Sequence, residues 1–196
     1  LATHIKKAGE NPDVHVIVLS SGGDRTFCAG ASFDELITIT NSEDGKKFFL
    51  GFAHVINAMR KCPKIIICRV HGKAIGGGVG IAAAADYCMA TNYGTIKLSE
   101  LALGIGPFVI GPAVERKIGL SAFSQLALNA TEWQTAIWAK EKGLYHEVFD
   151  SIEQLDAYVD ELSQRLAATS SSALLALKQA LWHDTQHWDQ LLEERA

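Results

Sequence analysis

Val14 to Ser20 (VHVIVLS) is β-branched and almost continuously apolar, the pattern of a strand covered on both faces. Ile65 to Val70 (IIICRV) repeats it, and Asp86–Ala90 and Thr95–Leu98 are shorter versions. Between the first two strands the period changes. From about Ser42 to Arg60, Phe48, Phe49, Phe52, Val55, Ile56 and Met59 recur at helical spacing, and Pro63 closes the segment. Leu1, Ile5 and Ala8 share that spacing, so the chain opens inside a helix pattern, without an initiator methionine; a preceding natural segment is expected. From about Val109 the pattern is mostly helical. Ser121 is expected to cap a helix to Leu128, Thr131 to begin one with Trp133–Lys142, and Ser151 to open one of about 18 residues. Ser170–Ser172 precede an apolar helix ending near Leu192. Strands alternating with helices, then helices alone, predict an α/β core over residues 1–120 and a helical region over 121–196.

The 17 glycines of the 196 residues are concentrated rather than spread. Residues 21–32 (SGGDRTFCAGAS) form one glycine-rich loop after the first strand. Gly72 to Gly80 (GKAIGGGVG) form a second after Val70, running into the small-residue helix Ile81–Ala85. Loops at the carboxyl ends of strands are where α/β proteins bind ligands. The first loop offers backbone N–H groups around Ala29–Ser32, and the second at Gly76, Gly77 and Gly78, where a helix begins. Free N–H groups there favour negative charge. Two such donors from separate loops, aimed at one point, make an oxyanion hole; taken singly, either loop could equally be a tight turn that permits close packing.

Composition narrows the class. Apolar residues are 48% and charged residues 20%, and no apolar run reaches about 18 residues, which excludes a transmembrane helix. A net charge of −4 argues against a broad nucleic-acid surface. Cys28, Cys62, Cys68 and Cys88 form no C-x-x-C pair and sit in apolar stretches, as buried thiols in a reducing compartment such as the cytoplasm would.

Other motifs carry less. GVGIAA (78–83) matches a loose dinucleotide fingerprint, but the acid about 20 residues on, Glu100, follows the wrong strand. His183 and His187 stand at metal-ligand spacing without further ligands, and read better as one face of an amphipathic helix. Glu100 itself, between leucines in LSELALGIGP, is either a solvated turn residue or a desolvated proton shuttle.

The order of these features resembles the crotonase (enoyl-CoA hydratase/isomerase) superfamily. TFCAGASFDEL (26–36), KIIICRVHGKAIGGGVGIAAAADYCMAT (64–91) and IKLSELALGIGP (96–107) are similar to its three signature segments, in order and spacing. The resemblance implies a spiral of ββα units, usually assembled as a trimer or hexamer, and an acyl-CoA thioester substrate, with no cofactor besides the CoA it carries. It implies that the thioester oxygen lies between the backbone N–H groups of Ala31 and Gly77, that Ala29–Ala31 border the adenine and pantetheine, and that Arg25 reaches toward the CoA phosphates. Glu100 matches one of the two glutamates of typical hydratases. The other position is Gly80 here. A single carboxylate suits a proton shift better than addition of water, so the implied reaction is double-bond isomerisation, with hydration or weakly catalytic acyl-CoA binding as alternatives. GPFVIGPAVERKIG departs from the family's usual segment and is expected to shape the acyl pocket.

Overall fold

The computed structural model describes residues 1–196. Seven strands alternate between two sheets. β1 (Val16–Leu19), β3 (Ile65–Val70), β5 (Tyr87–Thr91) and β7 (Glu147–Phe149) form one parallel sheet in that spatial order. β2 (Thr26–Cys28), β4 (Lys73–Ile75) and β6 (Ile96–Lys97) form a second parallel sheet. Each turn of the chain therefore lays one strand in the first sheet and the next in the second, then crosses back through a helix. That is a spiral of ββα units. The helices are α1 (Ala2–Glu10), the short α2 (Phe33–Leu36), α3 (Ser42–Lys61), α4 (Gly77–Ala84), α5 (Gly111–Leu128), α6 (Ala136–Glu141), α7 (Ile152–Ala167), α8 (Ser171–Leu181) and α9 (Trp188–Glu194).

The long elements lie where the hydrophobic pattern puts them. β3 has the expected bounds, and α3 runs one residue past the expected end. Asn41 caps α3 by accepting from the Asp44 N–H, and Ser151 and Ser170 cap α7 and α8 in the same way. Other expectations are corrected. β1 lies at the sheet edge, so Val18 is exposed rather than covered on both faces. Both glycine-rich loops contain a three-residue strand, β2 and β4, and α4 begins at Gly77, four residues earlier than expected. Thr135, not Thr131, caps α6. Instead of a new start at Ser121, α5 kinks at Gly119, whose φ of 76° departs from the helical range. The 121–196 stretch is not all helix: β7 pairs with β5, and the last apolar segment breaks at a 3₁₀ turn, His183–Thr185, before α9. His183 and His187 thus fall outside a common helix.

The C-terminal helices are locked onto the core by a buried ion pair. Asp86, at the start of β5, accepts hydrogen bonds from the Lys178 Nζ at 2.8 Å, the Trp182 Nε1 at 2.7 Å and the Ile66 N–H at 2.8 Å. The Lys178 Nζ also donates to the Lys64 carbonyl at 2.8 Å. Both charged side chains are 3% exposed, and these partners satisfy them. Trp182 and Trp188 pack into the same core as β3, β5 and α4, whereas Trp133 is partly exposed, with the Lys73 and Lys97 ammonium groups over its ring.

Candidate active site

The two sheets bring the two glycine loops together. A Cβ built at Gly30, in the first loop, would lie 3.1 Å from the Ile75 carbonyl oxygen and 3.4 Å from the Gly77 nitrogen of the second. A side chain there would crowd that backbone, and Gly30 also has a φ of 89°, which favours glycine. One residue further on, a Cβ at Gly78 would meet the Cys28 carbonyl oxygen at 2.4 Å, so α4 starts against the end of β2. Neither the Ala31 N–H nor the Gly77 N–H donates to a backbone carbonyl. Gly77 opens α4, where the helix dipole adds to the pull of its N–H on a negative charge.

Glu100 stands beside this convergence. Its Oε1 lies 2.9 Å from where a Gly76 Cβ would be, so the carboxylate rests on the backbone that leads directly into the Gly77 N–H. Gly76 has φ 52° and ψ −119°, a conformation that side chains resist. The Glu100 Oε2 is buried and has no hydrogen-bond partner. Burial raises the Glu100 pKa above the ordinary carboxylate range, opposed in part by a hydrogen bond from its own backbone. Of the three neighbouring leucines, only Leu98 is fully buried. Leu101 and Leu103 are about half exposed, and Leu103 borders the cavity.

A cavity of about 230 Å³ encloses the carboxylate and both loops. Ala29, Gly30, Ala31, Gly76, Gly77 and Glu100 all line it. Most of the rest of the wall is apolar: Phe33, Phe48, Phe49, Phe52, Ile105 and the 107–110 stretch. Ser99 and Glu100 are the only lining residues with polar side chains. An outer groove of about 720 Å³ shares Gly30, Ala31, Phe48 and Phe52 with the chamber, and carries Asp44 and Lys47 farther out. The shared residues come from the first loop and from α3.

Of the residues singled out from the sequence, Ala29, Ala31, Gly76, Gly77 and Glu100 are brought together. Gly78 packs on Cys28 behind the chamber, and Arg25 lines neither space. The Arg25 side chain is 92% exposed and pairs with the adjacent Asp24. Two contacts were not visible in the sequence. The Phe52 ring covers Gly77, its Cε1 2.0 Å from where a Cβ would be, and Ile110 covers Gly80. The aromatic stripe of α3 and the unusual GPFVIGP segment were the available signals, but neither names its glycine partner.

Arranged this way, two unengaged N–H groups can hold a developing oxyanion while one desolvated carboxylate removes and returns a proton nearby.

Comparison with known proteins places the chain in a family. The family model described as enoyl-CoA hydratase/isomerase matches residues 1–196. A peroxisomal Delta(3,5)-Delta(2,4)-dienoyl-CoA isomerase of Arabidopsis thaliana is 30% identical, with 88% of this chain and 66% of that protein covered. An enoyl-CoA hydratase of Alternaria alternata, ACTT6, is 32% identical over 82% of this chain and 52% of its own. The chain thus spans about half to two thirds of the length of these relatives. The crystal structure of a Mycobacterium smegmatis enoyl-CoA hydratase superposes with a TM-score of 0.88 at 25% identity, covering 94% of this chain and 71% of that one.

Proposed function

The chain belongs to the enoyl-CoA hydratase/isomerase family, and from that premise we propose that it isomerises the double bond of an acyl-CoA thioester, with Glu100 as the proton shuttle and the Ala31 and Gly77 N–H groups as the oxyanion donors. The observation that carries this reading is the chamber's inventory: one carboxylate, half of it unpartnered, in a wall otherwise apolar but for Ser99. Addition of water calls for one group to activate the water and another to manage the carbon-bound proton. A shift of a double bond needs one group used twice. In a 3-enoyl thioester the ionised Glu100 takes a proton from the α-carbon, and the C–H electron pair moves into an enolate whose oxygen is held by the two N–H groups. The same carboxyl then delivers that proton to the γ-carbon. The double bond moves into conjugation with the carbonyl, and Glu100 is ionised again.

CoA is part of the substrate in this reading, and the chemistry calls for no further cofactor or metal. The outer groove is the place for the CoA arm. Arg25 stays a candidate for the CoA phosphates on family resemblance alone. A trimer or hexamer is the assembly we propose, supported by exposed apolar residues outside the chamber such as Leu120 and Leu128. No helix is long and apolar enough to cross a membrane. The unpaired cysteines support a reducing compartment such as the cytoplasm.

The pH dependence tests the shuttle. Glu100 must be ionised to start, and burial has raised its pKa. Turnover of a 3-enoyl-CoA is therefore expected to rise with pH through one ionisation lying above the ordinary carboxylate range, then level off. The check is kcat/KM across acidic to neutral pH. A flat profile over that span would remove Glu100 from the role.

A further inference from the structure

We propose that Ile110 determines the reaction specificity of the chamber: its β-branch fills the space over Gly80 from which water could be delivered, so the proton that Glu100 removes goes back to the substrate. The inference rests on the isomerase reading above.

Residues 77 and 80 are one helical turn apart and lie on the same face of α4. Gly80 itself does not line the chamber; Ile110, which does, stands over it. A Cβ built at Gly80 would lie 2.6 Å from the Ile110 Cγ2 and 2.7 Å from its Cβ, so the space over Gly80 is taken by the two atoms of the Ile110 branch point. Ile110 is 4% exposed and lines the same chamber as Glu100. Its backbone is held in place. Its carbonyl accepts from the Ala113 and Val114 N–H groups, each at 3.1 Å, which fixes Ile110 at the start of α5, and Pro112 stiffens the turn that follows. A water attacking the substrate would need room and an acceptor to take its proton. Over Gly80, the Ile110 branch supplies neither. The proton on Glu100 therefore goes back to the substrate, to the α-carbon in reversal or to the γ-carbon in isomerisation: the carboxyl O–H bond breaks, a C–H bond forms, and no atom is gained or lost overall.

A glutamate placed at position 80 would meet Ile110 before it met substrate, so Gly80→Glu alone is not expected to create a hydratase. The test measures two products of a 3-enoyl-CoA in deuterated water: deuterium in the isomerised ester, and the ester that has gained one water. The parent enzyme should return mostly undeuterated isomer. Ile110→Leu keeps the volume but removes Cγ2 from over Gly80, and Ile110→Ala removes more; each should raise deuterium incorporation severalfold. Ile110→Val keeps both contacting atoms and should give the parent's partition. The double variant Gly80→Glu with Ile110→Ala should form the hydrated ester. Parent-like deuterium content in folded Ile110→Leu and Ile110→Ala would overturn the proposal. So would hydration by Gly80→Glu alone, because the space would then have been free. A parent enzyme that hydrates instead of isomerising would sink the isomerase reading itself, a result distinct from either of these.

Discussion

Glu100→Gln is expected to lower turnover of enoyl-CoA esters by about a thousandfold, while their binding stays nearly unchanged. The amide has the carboxylate's shape but cannot accept the α-proton, and general acid–base groups contribute about 10²–10⁴-fold. Binding survives because the proposed oxyanion donors are backbone groups that the substitution leaves in place. Stability should move the other way. The Glu100 pKa is raised in the folded protein, so the folded state holds the proton more tightly than the unfolded chain does. Stability is therefore lost as pH rises from the ordinary carboxylate range through the raised value, and it stays lost at neutral pH. Glutamine carries no such cost. The variant should melt at a higher temperature than the parent at neutral pH and at the same temperature below the carboxylate range. Steady-state kinetics, ester binding and melting at two pH values check all three. Unchanged turnover would remove Glu100 from the mechanism. A neutral-pH melting temperature no higher than the parent's would contradict its desolvated setting.

The second large effect concerns the Gly77 N–H. Proline is tolerated at the first position of a helix and removes the N–H, so Gly77→Pro is the natural probe. The Phe52 ring complicates it, because any side chain at Gly77 strikes that ring. The informative comparison is Gly77→Pro with Gly77→Ala, both in a Phe52→Ala background that clears the space. Alanine adds the side chain and keeps the donor; proline adds the side chain and loses it. Loss of one oxyanion donor costs about 2.7–4 kcal/mol, or about 10²–10³ in kcat. The proline variant should therefore turn over at least about a hundredfold more slowly than the alanine variant. Equal rates in two folded proteins would show that the Gly77 N–H does not hold the oxyanion.

What could be read from the sequence depended on whether a feature was local. The β3 run is continuously apolar and is bounded by Pro63 and Gly72, so its limits stand out. The caps of α7 and α8 are serines beside amphipathic or apolar runs, and these too were legible. β2, β4 and β7 have three residues each, too few to display a period of two; two of them lie inside glycine-rich stretches that read as loops. The convergence of Ala31, Gly77 and Glu100 could be anticipated only because three separated segments matched one family in order. The contacts that shape the chamber followed no such rule. Phe52 meets Gly77 from 25 positions away, and Ile110 meets Gly80 from 30. The α3 aromatic stripe and the unusual 106–119 segment stand out, but neither pattern names the glycine that its side chain covers. The buried Asp86–Lys178–Trp182 network was equally silent: Lys178 and Trp182 share a helical turn at the end of α8, but their partner Asp86 lies 92 positions from Lys178.

In the proposed reaction, one carboxylate and two backbone donors move a proton and add nothing. The most direct measurement supplies the full-length enzyme with 2-enoyl and 3-enoyl CoA esters and follows mass and conjugation together. A 3-enoyl ester is expected to become conjugated with no change in mass, and a 2-enoyl ester to take up no water. A mass gain of one water from the 2-enoyl ester, with the 3-enoyl ester left unconverted, would contradict this.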